Sequence, residues 1–178
     1  MSGAARARPA VPLLERSSGL HNASAALDYL VRMLSLAARR GLHTTVLALQ
    51  LDEAAQLSAA AVRRAERRLV PALKARLRTH ELLAHWAPGA FVVVLPDADI
   101  PSALVLASDL RQVAADAGAR PGHRGAGGIS LSIGVHTRAA HHDTVADWRT
   151  LAAEMIIAAQ RALDVSAANG PGRIEIEP

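Results

Sequence analysis

Around residues 81–96 two apolar runs, Leu82-Leu83-Ala84-His85-Trp86 and Phe91-Val92-Val93-Val94-Leu95, flank Ala87-Pro88-Gly89-Ala90. Proline fixes a negative φ and glycine accepts a positive one, which is what the two central positions of a type II turn require. The pattern predicts a β-hairpin pairing residues 81–86 with 91–95. An isolated hairpin is not stable in water, so the rest of the chain has to supply partners for this antiparallel pair.

Those partners follow from periodicity. Ala26, Leu27, Leu30, Met33, Leu34 and Ala37 recur at helical spacing and predict a helix over residues 22–40, capped by Asn22 or Ser24 and ended by Gly41. Residues 44–51 read as a buried strand. Val62, Ala65, Leu69, Leu73 and Leu77 predict a helix over 57–78 with a basic opposite face, and Pro71 is expected to kink or divide it. After the hairpin come a helix over 100–117, a glycine-rich loop over 120–128, a strand over 129–136, a helix over 145–168 and a last strand over 173–177. The central order, strand-helix-strand-strand-helix-strand, is the ferredoxin-like alternation. It predicts an α+β fold with a mainly antiparallel sheet flanked by helices. No internal repeat is present.

Composition narrows the class. At 178 residues and 51% hydrophobic content the chain suits one domain, assigned to residues 17–178, after a flexible tail at 1–16 that has two prolines and no periodicity. No apolar run is long enough for a membrane span, and the Arg-containing N-terminus lacks a signal-peptide core, so the expected location is cytoplasmic. The absence of cysteine excludes disulfides, thiolate catalysis and Cys-based zinc sites. A net charge of +4 and a pI near 10.8 permit polyanion binding without requiring it. The excess of Ala and Arg also fits a GC-rich coding sequence.

Several clusters are candidate sites. The glycines of 120–128 precede a strand, whereas phosphate-binding glycine loops follow a strand and open a helix. His141-His142-Asp143 lacks a fourth ligand and reads as surface loop. No Ser-His-Asp set has a nucleophile turn. Arg63, Arg64, Arg67 and Arg68, continuing to Lys74, Arg76 and Arg78, form the strongest charge cluster. It suits phosphate backbones or an acidic surface, although 2% aromatic content leaves few platforms for stacking single strands.

The hairpin also resembles that of GGDEF domains, the diguanylate cyclases, in which an Arg or Tyr precedes Gly-Gly-Asp/Glu-Glu-Phe and the following strand ends in Leu-Pro. Here the pentapeptide reads Ala87-Pro88-Gly89-Ala90-Phe91. Other segments resemble the family in the same order. Ser17-Ser18-Gly19-Leu20-His21-Asn22 is similar to Leu-Thr-Gly-Leu-x-Asn, and Leu47-Ala48-Leu49-Gln50-Leu51-Asp52 to the strand ending in Asp-x-Asp. Ser130-Leu131-Ser132-Ile133-Gly134-Val135 is similar to Thr-x-Ser-Ile-Gly-Val, and Gly170-Pro171-Gly172-Arg173-Ile174 to the turn before the last strand. The resemblance implies a nucleotidyl-cyclase-like fold.

It also implies where cyclase chemistry would sit. The family's Mg²⁺ is held by the first Asp of Asp-x-Asp and a hairpin acid, positions that here hold Gln50 and Gly89-Ala90. The family's Asn-Asp-x-x-Gly-His-x-x-Gly-Asp segment is replaced by a shorter run through Ser58. Asp52 reads as a solvated acid at a strand end, and Arg161 as the counterpart of a basic residue on the second-last helix. No catalytic residue, metal ligand or cofactor is therefore expected. Arg78-Thr79-His80-Glu81 stands where many GGDEF domains carry Arg-x-x-Asp, the site at which cyclic di-GMP binds as inhibitor. Arg78 and Glu81 are accordingly the candidate ligand residues, joined by Arg111 from the next helix, with Asp109 competing for that position. The competing account of this segment makes Arg78 a helix-ending cation and Glu81 the start of an edge strand. The expected function is a catalytically inactive regulatory or interaction module in bacterial cyclic di-GMP signalling, with cyclic di-GMP as candidate ligand and a protein or a second copy as partner. The alternatives are a pure protein scaffold and nucleic-acid binding through residues 63–78.

Overall fold

Five strands and four helices form close to where periodicity places them. A computed structural model of the chain describes residues 13–15, 18–118, 129–139 and 147–177. The order is α1 (Ala23–Arg40), β1 (Thr44–Leu51), a 3-10 turn (Ala54–Gln56), α2 (Ala59–Lys74), β2 (Leu82–Ala87), β3 (Ala90–Pro96), α3 (Ile100–Gly118), β4 (Leu131–Arg138), α4 (Trp148–Ala168) and β5 (Ile174–Glu177). Asn22 caps α1 by accepting from the Ala25 N–H at 2.9 Å, and Ser58 caps α2 through the Ala61 N–H.

The strands form one sheet in the order β2-β3-β1-β4-β5, antiparallel except for the parallel pair β4–β5. Helices cover both faces, which is why strands such as Thr44–Leu51 are buried almost throughout instead of alternating. Leu47, Leu49, Phe91, Val93, Ile133 and Val135 point toward α2 and α3. Val46, Ala48, Val92 and Val94 point toward α1 and α4. On that second face α4 lies directly on the β4 backbone at Gly134, where a Cβ would stand 2.1 Å from the Ala159 carbonyl oxygen.

Helix α2 is not divided at Pro71 and runs through it as one element. The proline is on its exposed side, so the Arg67 carbonyl that loses its donor is on the side open to water. Leu13, Leu14 and Glu15, assigned to the tail, pair back on the start of the domain: Asn22 N–H donates to the Leu13 carbonyl at 2.9 Å and Glu15 N–H to that of Leu20 at 2.8 Å. The glycine-rich segment 120–128 and His141-His142-Asp143 lie outside the described residues. No helix among the described residues is long and apolar enough to cross a membrane.

Candidate functional site

The β2–β3 hairpin turns at Pro88-Gly89, with Gly89 at φ +74° as the Pro-Gly pair requires. Strand β1 brings its end alongside: Gln50 pairs with Ala90, and the Leu51 N–H donates to the Gly89 carbonyl at 2.9 Å. Gln50, Gly89 and Ala90 therefore share one end of the sheet. A Cβ at Gly89 would lie 2.7 Å from the Ala54 Cβ, so the 3-10 turn closes the space a side chain would need.

Beneath this turn sits a carboxylate that sequence reasoning missed. Glu66 of α2 is 5% exposed, and its Oε1 accepts from the Gly89 N–H at 2.7 Å. The same oxygen is 3.2 Å from His85 Nε2. The His85 ring meets Phe91 edge-on, centroids 5.8 Å apart. The signal was the spacing: Val62, Glu66, Leu69, Val70 and Leu73 form the inward stripe of α2, and an acid on such a stripe needs buried partners.

Asp52 is also more than a solvated strand end. Its Oδ2 accepts from the Ser130 hydroxyl and, at 2.7 Å, from the Gly172 N–H, tying β1 to the approach of β4 and the turn before β5. Arg161 is held by Glu177 of β5, with Nε 2.9 and 3.0 Å from the two carboxylate oxygens. This pair holds the Glu177 carboxyl below its ordinary pKa and the Arg161 guanidinium above its own, chiefly through the hydrogen bonds between them. Among the described residues no group of three or more His, Cys, Asp or Glu side chains is arranged to hold a metal ion.

Arg78 and Glu81 follow α2 in a closed turn. Glu81 N–H donates to the Arg78 carbonyl at 3.0 Å, and the Arg78 N–H donates back to Glu81 Oε2 at 2.7 Å. Both residues line a cavity of about 710 Å³ between the end of α2, the end of β3 and α3. Arg76, Asp97 and Asp109 line it too, and Arg76 Nη1 is 3.5 Å from Asp109 Oδ2. Arg111 does not join them. Residues two apart on a helix are about 200° apart around its axis, so with Asp109 turned to the cavity Arg111 faces elsewhere. Its Nη1 donates to the Gly172 carbonyl at 2.7 Å. Behind Glu81, the Tyr29 hydroxyl donates to the His80 carbonyl. Burial, and then the Glu81 charge, raise the Tyr29 pKa.

No protein-family model and no curated protein matches the chain. Solved structures do. The diguanylate cyclase SiaD from Pseudomonas aeruginosa, in complex with its activator SiaC, superposes with a TM-score of 0.78 at 18% identity over 93% of this chain. This chain spans 62% of the SiaD chain. The coiled coil and GGDEF domain of DgcB from Caulobacter crescentus, in complex with c-di-GMP, gives 0.77 at 16% identity, covering 93% of this chain and 85% of that one. The FimX GGDEF domain from Pseudomonas aeruginosa gives 0.75 at 19%, covering 94% and 100%. The chain has the fold of GGDEF domains. Within that GGDEF-like fold, Pro88-Gly89 occupies a hairpin turn, Ser130–Val135 leads into and forms β4, and Gly170-Pro171-Gly172 precedes β5, in the order the resemblance implies.

Proposed function

We propose that this GGDEF-like domain is a non-catalytic module of cyclic di-GMP signalling that takes the dinucleotide in the cavity at Arg78 and Glu81 and acts through a protein partner. The cluster of Gln50, Gly89 and Ala90 carries the non-catalytic part of the proposal. A hard divalent cation asks for several oxygen ligands, mostly carboxylates, and an amide, a hydrogen and a methyl group do not provide them. One oxygen of Asp52 is already engaged by Ser130 and Gly172, and Ala54 leaves no room for an acid at Gly89. The residues present do not fit the Mg²⁺ that the fold's cyclases use.

The ligand part rests on chemical complementarity. Cyclic di-GMP presents two phosphates and two guanine edges bearing N–H donors. Arginine forks onto phosphate or a guanine acceptor edge, and carboxylates accept from guanine N–H groups. The cavity offers Arg76 and Arg78 for the first and Glu81, Asp97 and Asp109 for the second. The Arg76–Asp109 pair is nearly half exposed on both sides and can exchange partners at little cost. A protein partner is supported by analogy with SiaD, solved in complex with its activator SiaC.

Two measurements test the proposal. Incubation with GTP and Mg²⁺ or Mn²⁺ is expected to yield no cyclic di-GMP, and product formation that a Gln50 or Asp52 substitution abolishes overturns the non-catalytic part. Calorimetric titration with cyclic di-GMP is expected to give binding heat that weakens at least tenfold in Arg78→Ala. Absence of heat from the wild type rejects the ligand part and leaves the scaffold role, to be pursued by light scattering and pull-down.

A further inference from the structure

The exposed side of α2 carries Arg63, Arg64, Arg67, Arg68 and Lys74, and its one acid, Glu66, is buried on the opposite side under the hairpin. None of these five cations has an ion-pair or hydrogen-bond partner among the described residues. On a helical wheel at about 100° per residue they fall within an arc of about 140°, centred opposite the stripe of Val62, Leu69, Val70 and Leu73. The arrangement works against the helix itself. Arg63 with Arg67 and Arg64 with Arg68 are like charges at i,i+4, which repel, whereas a solvated helix face ordinarily alternates sign at that spacing.

From this we infer that the α2 face is a binding surface for the phosphate backbone of a nucleic-acid duplex. From Arg63 to Lys74 the helix rises about 17 Å, at about 1.5 Å per residue. A duplex carries one negative charge per about 1.7 Å of axis, about ten over that length, more phosphate charge than the five cations can neutralise. Arginine at four of the five positions favours forked hydrogen bonds to phosphate oxygens. Exposed Pro71, in the middle of the face, adds neither an opposing charge nor a base-reading group. The stripe has no aromatic side chain, so it offers no platform for stacking unpaired bases. A membrane surface fits less well, because the apolar side of α2 that would enter lipid is the protein core. The inference is independent of the ligand assigned to the Arg78 cavity.

The test is fluorescence anisotropy of the full chain with a labelled duplex DNA of about 24 base pairs, well beyond the about 17 Å that the face spans. With four or five phosphates neutralised, affinity should fall about 10²- to 10³-fold between 50 and 200 mM salt. The informative variant is Arg63→Glu/Arg64→Glu, because each new glutamate lies four residues before an arginine, the favourable order, and the helix is retained. It should weaken binding at least tenfold with unchanged circular dichroism and a melting temperature no lower than wild type. Arg39→Glu/Arg40→Glu, an equal charge change on exposed residues of α1 across the sheet, should change affinity less than threefold. No binding at 50 mM salt, equal losses in the two variants, or tighter binding to polyglutamate or to anionic phosphatidylglycerol vesicles than to DNA would each overturn the inference.

Discussion

Glu66 and Gly89, 23 residues apart, are joined by a 2.7 Å hydrogen bond from the amide of the hairpin turn to a buried carboxylate. The turn is therefore held from below by α2 as well as from the side by β1, whose Leu51 N–H meets the Gly89 carbonyl. Both polar groups of the Gly89 backbone are satisfied, one by a side chain and one by a strand. This end of the sheet is a closed, hydrogen-bonded tip.

Removing the carboxylate should loosen this tip. Glu66→Ala leaves the Gly89 N–H without its acceptor, and an unmet buried donor costs about 2–3 kcal/mol, the upper part of the usual range. Glu66→Gln retains an acceptor oxygen for Gly89 and should cost about 1 kcal/mol. Urea unfolding measures both, and an Ala variant no less stable than the Gln variant would show that the hydrogen bond contributes nothing.

Placing an acid at the hairpin turn should destabilise the fold. Gly89→Asp places a Cβ against Ala54 and a non-glycine residue at φ +74°, at a combined cost of about 2–4 kcal/mol from overpacking and left-handed strain. Pairing it with Ala54→Gly removes the clash but not the strain, so the double variant should regain part of the loss in a thermodynamic cycle. Strict additivity of the two substitutions would mean that Ala54 does not limit the site.

The sheet was legible in the sequence because its strands are covered on both faces and read as unbroken apolar runs, and because Pro88-Gly89 marks the hairpin. The polar ties were not, since they join residues far apart in the chain. Asp52 looked solvated because its partners, Ser130 and Gly172, come from 78 and 120 residues away. Arg111 is grouped with Arg78 by resemblance, as an arginine from the next helix, whereas rotation about α3 turns Asp109 to the cavity. Glu66 was hidden among arginines, although its i+3, i+4 and i+7 neighbours Leu69, Val70 and Leu73 are all apolar and buried.

Tyr29 gives an optical probe beside the Arg78 cavity, since it is the only tyrosine. Its phenol is raised above the ordinary value first by burial and then by the Glu81 charge. The sign follows directly: the stability linked to Tyr29 is complete below the ordinary tyrosine pKa of about 10 and is lost as pH rises through the higher folded value. Absorbance at the tyrosinate band should give a midpoint above that of free tyrosine. Glu81→Gln should lower it without returning it to the free value, because burial remains; an unmoved midpoint would remove Glu81 from the phenol's surroundings.

Among the described glycines, Gly134 is the one whose added Cβ would meet backbone most closely, and its substitution should be strongly destabilising. A Cβ there would meet the Ala159 carbonyl oxygen at 2.1 Å and the Leu163 nitrogen at 2.2 Å, both backbone atoms that no rotamer change can move. Helix α4 would have to lift from β4, opening the core formed with Ala152, Met155 and Ala159. Overpacking of this kind costs about 3 kcal/mol or more, at the upper end of the usual range because the obstacle is backbone. Gly134→Ala should therefore lower the urea midpoint sharply. The conservative exposed change Ile157→Ala, on the outer side of the same helix, should shift it by no more than about 0.5 kcal/mol equivalent. Comparable shifts in the two variants would mean that α4 does not press on the strand at this point.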